Sequence, residues 1–152
     1  MELLDQKYST LRIYTVYYNI CVGIADQSVH YDRNEEPDAR GCEKVVEYNS
    51  GGDIFHMKFN EIQENISFDQ SGDIIFMELN MDSDPRTLAF FVNNKQLSNY
   101  ITNIPSSVRF WAHVYVKEAQ FKVTKFKQIY SSIAKHNMES SKAFEWGQDW
   151  TK

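Results

Sequence analysis

The chain has 152 residues, 42% hydrophobic and 24% charged, the composition of one globular domain. Two full domains are excluded, because about 75 residues each would leave a poor core. Disorder of the whole chain is excluded by ten phenylalanines, nine tyrosines and three tryptophans. The net charge of −5 leaves no dominant basic face for tracking phosphates, so no nucleic-acid partner is expected.

Two cysteines, Cys21 and Cys42, allow a single internal disulfide. Cys21 lies in the apolar run Ile20-Cys21-Val22 and reads as a small buried hydrophobe. Met1-Glu2-Leu3-Leu4-Asp5 lacks a signal-peptide layout, and no apolar run approaches the ~18 residues of a membrane span. The expectation is a cytoplasmic protein with free thiols and no membrane partner. Without a secretory signal, the glycosylation pattern at Asn65-Ile66-Ser67 carries little weight.

Strand signals dominate. Leu11 to Ile24 is rich in Tyr, Ile, Val and Thr and predicts one long strand or two short ones. The polar, charged stretch from Asp26 to Gly41 contains Pro37 and predicts a long surface loop. Val45 to Tyr48 is a short strand closed by the turn Asn49-Ser50-Gly51-Gly52, and Ile54 to Phe59 alternates weakly. After Ser71-Gly72-Asp73, the segment Ile74 to Leu79 places Ile74, Phe76 and Glu78 on one face and Ile75, Met77 and Leu79 on the other.

A turn over Asp82 to Arg86 leads to the strand Thr87 to Val92. Asn93-Asn94 then makes a tight turn, since Asn tolerates positive φ. Ile104-Pro105 marks a break. Beyond it Phe110, Ala112, Val114 and Val116 share one face, while Arg109, Trp111, His113 and Tyr115 share the other. That second, aromatic face reads better as a covered side of a sheet than as an exposed ledge. Next, Phe121, Val123 and Lys125 face one way, and Lys122, Thr124 and Phe126 the other. Lys117, Lys122, Lys125 and Lys127 read as a solvated strand face rather than a nucleic-acid patch.

Short strands divided by Gly, Asn and Pro turns predict two packed antiparallel sheets over residues 1–126. In the tail, 127–152, Tyr130, Ile133, Ala134, Met138, Ser141, Ala143, Phe144 and Trp146 give a patchy helical spacing. A short helical tail lying against the sandwich is expected.

The run Ser71-Gly72-Asp73-Ile74-Ile75-Phe76-Met77-Glu78-Leu79-Asn80-Met81-Asp82, with Thr87-Leu88-Ala89-Phe90-Phe91-Val92-Asn93-Asn94-Lys95-Gln96-Leu97, resembles the paired strands of the SPRY family, the core of the B30.2 domain. Val22-Gly23-Ile24 resembles that family's earlier glycine strand. Tyr48 with Gly51-Gly52 and His56 resembles its aromatic-turn region, and Ile104-Pro105 with the following strand its late segment. The likeness covers residues 11–126. It departs where Tyr14 or Tyr17 replaces a tryptophan, and where Asn93-Asn94 replaces asparagine-glycine. The ten residues before Leu11 leave no room for the PRY segment that some members carry.

The resemblance implies a bent, concanavalin-like β-sandwich of two antiparallel sheets and a non-catalytic, protein-binding role through edge loops. It implies a stand-alone adaptor or an excised domain, a monomer or part of a larger protein. The residue-level expectation for the binding face is the loop group Tyr31, Asp32, Arg33, Glu35, Glu36 and Arg40; the resemblance implies Tyr18 and Tyr48 nearby, and Tyr100 belongs to a second loop group with Asn99 and Asn103. Tyr and Arg suit a contact centre because each combines area with hydrogen bonding.

Asp73 reads as a turn residue, and Asp82 with Asp84 as a solvated hairpin, since the calcium-loop pattern is absent. The four scattered histidines show no ligand spacing, so no metal or cofactor is expected. Neither Gly-x-Ser-x-Gly nor a phosphate-binding glycine pattern occurs, and no enzyme activity is expected. The alternative is a carbohydrate-binding sandwich, with Trp111 or Tyr48 stacking on a sugar.

Overall fold

A computed structural model describes residues 2–3, 8–15 and 19–151. The expected positions of Tyr17 and Tyr18 lie outside the described residues. The strands in chain order are β1 (Glu2–Leu3), β2 (Tyr8–Thr15), β3 (Ile20–Asp26), β4 (Val45–Asn49), β5 (Ile54–His56), β6 (Asn60–Ile62) and β7 (Ile74–Asn80). They continue with β8 (Thr87–Val92), β9 (Lys95–Gln96), β10 (Asn99–Thr102), β11 (Val108–Val114), β12 (Phe121–Gln128) and β13 (Lys142–Glu145). Sheet A has the order β1-β11-β3-β4-β5-β6, and sheet B the order β12-β2-β7-β8-β10-β13, with β9 paired to β8. Among the described pairs only β10–β13 is parallel.

Period-two alternation decides which side chains meet. In sheet A the row Ala112–Val22–Tyr48–Ile54–Ile62 crosses the inner face. In sheet B the row Leu11–Met77–Phe90 does the same, followed by Leu79–Leu88–Ile101–Phe144. Both sets belong to one core between the sheets. The Tyr48 ring packs on Phe68 at 4.8 Å and on Phe90 at 5.0 Å. Its hydroxyl donates to the Ile66 carbonyl, which satisfies a polar atom that burial would otherwise leave unpaired.

The turns follow from their residues. Asn93 and Asn94 both adopt positive φ, 49° and 68°, the geometry of a two-residue hairpin turn whose twist suits the flanking strands. Asp73 is a turn residue, as its sequence context predicts. Its carboxylate accepts from the Gln70 N–H at 3.0 Å and from Asn93 Nδ2 at 2.8 Å. Gly72 beside it has φ 100°, a conformation costly for any residue with a Cβ.

Three expectations are corrected, the first being that Asn99 and Tyr100 lie in strand β10 and not in a loop. In β12 the register shifts between Val123 and Lys125. That bulge flips the alternation, so Val123 and Phe126 pair with the inward Ile13 and Leu11, while Lys125 pairs with the outward Arg12. The helical tail is also absent. The chain after β12 crosses the outer face of sheet B as an irregular segment and then adds β13 to the far edge of that sheet.

Strand pairing prevails over the patchy helical spacing because the sheet supplies specific partners for the tail backbone. Glu78 accepts from Ser132 Oγ at 2.5 Å and from the Ile133 N–H at 2.8 Å. Gln96 exchanges two hydrogen bonds with Lys135, and the β10 edge takes up residues 142–145.

Past β13 the tail reaches the β5–β6 edge of sheet A. His56 is buried there. Its Nδ1 donates to the Val45 carbonyl at 2.7 Å, and its Nε2 accepts from the Gly147 N–H at 2.8 Å. Trp146 and Trp150 pack on the imidazole at 4.6 and 5.4 Å. Asn60 donates to the Gln148 carbonyl at 2.6 Å and accepts from the Trp150 N–H at 3.0 Å. The tail therefore joins an edge of sheet B to an edge of sheet A.

Two outcomes are expected. Phe90→Ala should cost roughly 3–5 kcal/mol in urea unfolding, through lost transfer energy and the cavity it leaves; a parental midpoint contradicts the core register. Burial lowers the His56 pKa below its ordinary 6.5, and an Nε2 that accepts from Gly147 must be unprotonated. The unfolded chain therefore binds the proton more readily, so stability is complete above about pH 6.5 and falls as pH drops through the lowered folded-state value. His56→Phe, which keeps the ring packing, should flatten this part of the pH profile. An unchanged profile assigns it to other groups.

Candidate partner-binding face

The outer face of sheet A is not bare. Residues 27–41, between β3 and the short 3-10 turn Cys42–Lys44, fold back over it. The fastening is a small second apolar cluster in which Val29 packs with Ala25 and Val45, against Trp111 from β11. Gly23, opposite Trp111 in the register, makes this possible. A Cβ there would lie 1.8 Å from the Val46 carbonyl oxygen and 3.0 Å from the Trp111 ring. Arg109 Nη1 donates to the Val29 carbonyl at 2.7 Å and holds the start of the loop.

Hydrogen bonds then give the loop one shape. Arg40 closes it as a fork, with Nη2 2.6 Å from Asp32 Oδ2 and Nε 2.8 Å from Glu35 Oε2. Glu35 also accepts from the Asp32 N–H at 2.9 Å. The Arg40 bond, then the backbone donor, hold the Glu35 carboxyl below its ordinary pKa. The Tyr31 hydroxyl donates to the Pro37 carbonyl at 2.5 Å. Burial, aided by nearby acidic groups, pushes the Tyr31 phenol up to about 12. Glu36 lies 3.5 Å from His113 Nε2, close enough for an ion pair when the imidazole is protonated.

Beneath this loop is a cleft of about 180 Å³ lined by Tyr31, Glu35, Pro37, Trp111, Ala112 and His113. Beyond Tyr115 is a larger, polar hollow of about 600 Å³, whose walls include Glu47, Asn49, Asp69 and Gln70. Tyr115 donates to Glu47 at 2.8 Å and receives the Cys21 thiol at 3.4 Å. Cys21 is fully buried, and burial raises its thiol pKa far above the ordinary value. It is a core hydrophobe rather than a nucleophile. Among the described residues no three His, Cys, Asp or Glu side chains are placed to hold a metal ion.

The structure brings Tyr31, Arg33, Glu35 and Arg40 together on one loop and separates the other expected residues. Tyr31 and Arg33 are exposed, and Arg33 has no hydrogen bond or ion pair among the described residues. Arg40 and Glu35 are engaged with each other. Tyr48 cannot touch a partner, because period two turns it inward into the core while its neighbour Glu47 faces outward. Tyr100 sits on β10 of the other sheet, stacked on His136 at 3.9 Å. Asn99 and Asn103 are held by Asn65 and Glu145.

The sequence does not single out Glu47, and it marks Trp111, His113 and Tyr115 as one sheet face, with Trp111 also a candidate for stacking on a sugar. The alternation over 109–115 did mark that face, and the loop does cover Trp111. What it could not show is which segment forms the cover. Arg40→Ala should leave the melting temperature nearly unchanged while amides in 27–41 exchange faster with solvent. Unchanged exchange means the fork does not order the loop.

No family model matches the chain, and no curated protein matches it. Among solved structures, the chain is similar to the crystal structure of the SPRY domain of human HERC1, with a TM-score of 0.57 and 18% identity over 87% of this chain and 80% of that one. The fold is SPRY-like.

Proposed function

We propose that the chain is a non-catalytic interaction module. It captures a short peptide or loop of a protein partner on the outer face of sheet A, at the 27–41 loop. The observation that carries this reading is a loop held in one shape by Arg40, Tyr31 and Arg109, with the Tyr31 ring lining the smaller cleft and an unengaged Arg33 exposed on the same loop. A preordered loop loses little entropy on binding. An aromatic with an adjacent arginine supplies the area and the donors that contact centres use. The smaller cleft lies below the roughly 300–1,000 Å³ of small-molecule sites and suits one inserted side chain. The SPRY-like fold and the sequence resemblance support the same reading.

The sugar-binding alternative draws no support from its two stacking candidates, because Tyr48 is a core residue and Trp111 lies under the loop. Among the described residues no helix is long and apolar enough to cross a membrane.

The test is affinity capture from cell lysate with the parent chain and an Arg33→Ala variant, read by mass spectrometry. The variant should melt like the parent, as exposed substitutions away from special features change stability by no more than about 0.5 kcal/mol. A protein enriched by the parent and lost with the variant supports the loop as the contact. Identical capture profiles refute it.

A further inference from the structure

The outer face of sheet B carries a second surface of opposite chemistry. The register lines up Lys125, Arg12, Phe76 and Phe91 in one row across β12, β2, β7 and β8. Lys127 stands one row on, opposite Thr10. After β12 the chain crosses this face, and Ile129 and Ile133 come down beside the row. Between them lies a hollow of about 250 Å³. Phe76 and Phe91 meet edge to face on its floor at 5.2 Å.

No carboxylate lines this hollow. Among the described residues the side chains of Arg12, Lys125 and Lys127 have no hydrogen bond or ion pair. Glu78 shares the row of Lys127, with Thr10 between them, and its carboxylate is engaged instead by Ser132 and by the Ile133 and Ala134 N–H groups. Lysines on β12 alone would be ordinary, since edge strands use them to discourage pairing with other chains. That explanation does not reach Arg12, which sits on an interior strand, or the apolar floor beside it. In a chain of net charge −5, three unpaired cations around an apolar hollow form a local charge inversion.

We propose that this hollow is a second docking site, for an acidic segment of a partner protein. One apolar side chain of the segment seats against Phe76, Phe91 and Ile133, and its flanking carboxylates face Arg12, Lys125 and Lys127. The volume decides between occupants. It is smaller than the roughly 300–1,000 Å³ that encloses a whole small ligand, and it matches a single large side chain. The cations ring the hollow instead of forming the extended track that a nucleic-acid backbone needs. The site is on the opposite sheet from the 27–41 loop and does not depend on that loop's role.

The test is selection from a random peptide phage library on the immobilised chain, counter-selected on the triple variant Arg12→Gln, Lys125→Gln, Lys127→Gln. The expected peptides carry carboxylates on both sides of an apolar residue. Their affinity should fall about tenfold in the triple variant and weaken as salt is raised. Ile133→Asp, which places a carboxylate at the mouth of the hollow, should weaken them as well, and Arg33→Ala should not. Equal melting temperatures establish that the variants are folded.

The proposal is overturned if no peptide distinguishes the parent from the triple variant, or if the selected peptides lack carboxylates. It is also overturned if binding is lost in Arg33→Ala instead. Discrimination seen only with phosphatidylserine vesicles or with oligo(dT) assigns the cations to lipid or nucleic acid and likewise overturns it.

Discussion

The two sheets meet through an aromatic contact at the centre of their shared core. Tyr48 from sheet A meets Phe90 from sheet B, and Phe68, from the connection between β6 and β7, closes over the pair. A buried tyrosine brings a hydroxyl into the core, and an unpaired hydroxyl there costs about 1–3 kcal/mol. The Ile66 carbonyl removes that cost. This fixes the path of residues 66–68, where the Phe68 N–H also reaches the Ser50 carbonyl at 3.0 Å. The core contact thus orders the connection that continues to Asp69 and Gln70 on the wall of the larger outer hollow.

Alternation transmits the same constraint to the surface. With Tyr48 inward, Glu47 faces outward toward Tyr115, and with Val22 and Ile24 inward, Gly23 faces Trp111. The missing side chain at Gly23 leaves room for the Trp111 ring, which packs on the cluster of Ala25, Val29 and Val45, and the loop follows Val29. The candidate binding face is therefore built outward from the core. Its charges order the loop itself, because Arg40 binds Asp32 and Glu35 and leaves Arg33 as the unengaged cation.

The C-terminal segment closes the structure in a different way. A sandwich leaves sheet edges with unpaired backbone groups. Here β13 covers the β10 edge, and residues 146–150 plug the β5–β6 edge through His56 and Asn60. On its way the segment buries the Glu78 carboxylate under three backbone N–H and hydroxyl donor positions and forms one wall of the cationic hollow. One piece of chain thereby covers an edge, supports a second edge and shapes a surface.

Elements whose partners are near in sequence were legible from the residues. The alternation of Ile74 to Leu79, the Asn93-Asn94 turn, the turn role of Asp73, the burial of Cys21 and the polar loop before Gly41 all follow from local pattern and backbone chemistry. The resemblance of residues 71–97 to a known family pointed to the sandwich. What failed depended on contacts distant in the chain. Tyr48 looked like a contact residue because tyrosine suits both a core and an interface, and only the opposing sheet decides which. The tail looked weakly helical because its apolar spacing fits a helix, but the exposed edge of β10 and the Glu78 carboxylate, far away in sequence, offered its backbone better partners. The bulge between Val123 and Lys125 exchanged the faces of the second half of β12 for the same reason, since Lys125 and Phe126 are set by pairing to Arg12 and Leu11 across more than a hundred residues. The sequence by itself determined the long central strands, such as β3, β7, β8 and β11, the turns beside them and the predominantly β class, through period and backbone preference. The tertiary structure decided which faces are buried, what the tail does and which charges remain unpaired, because burial and pairing belong to contacts that no local pattern encodes.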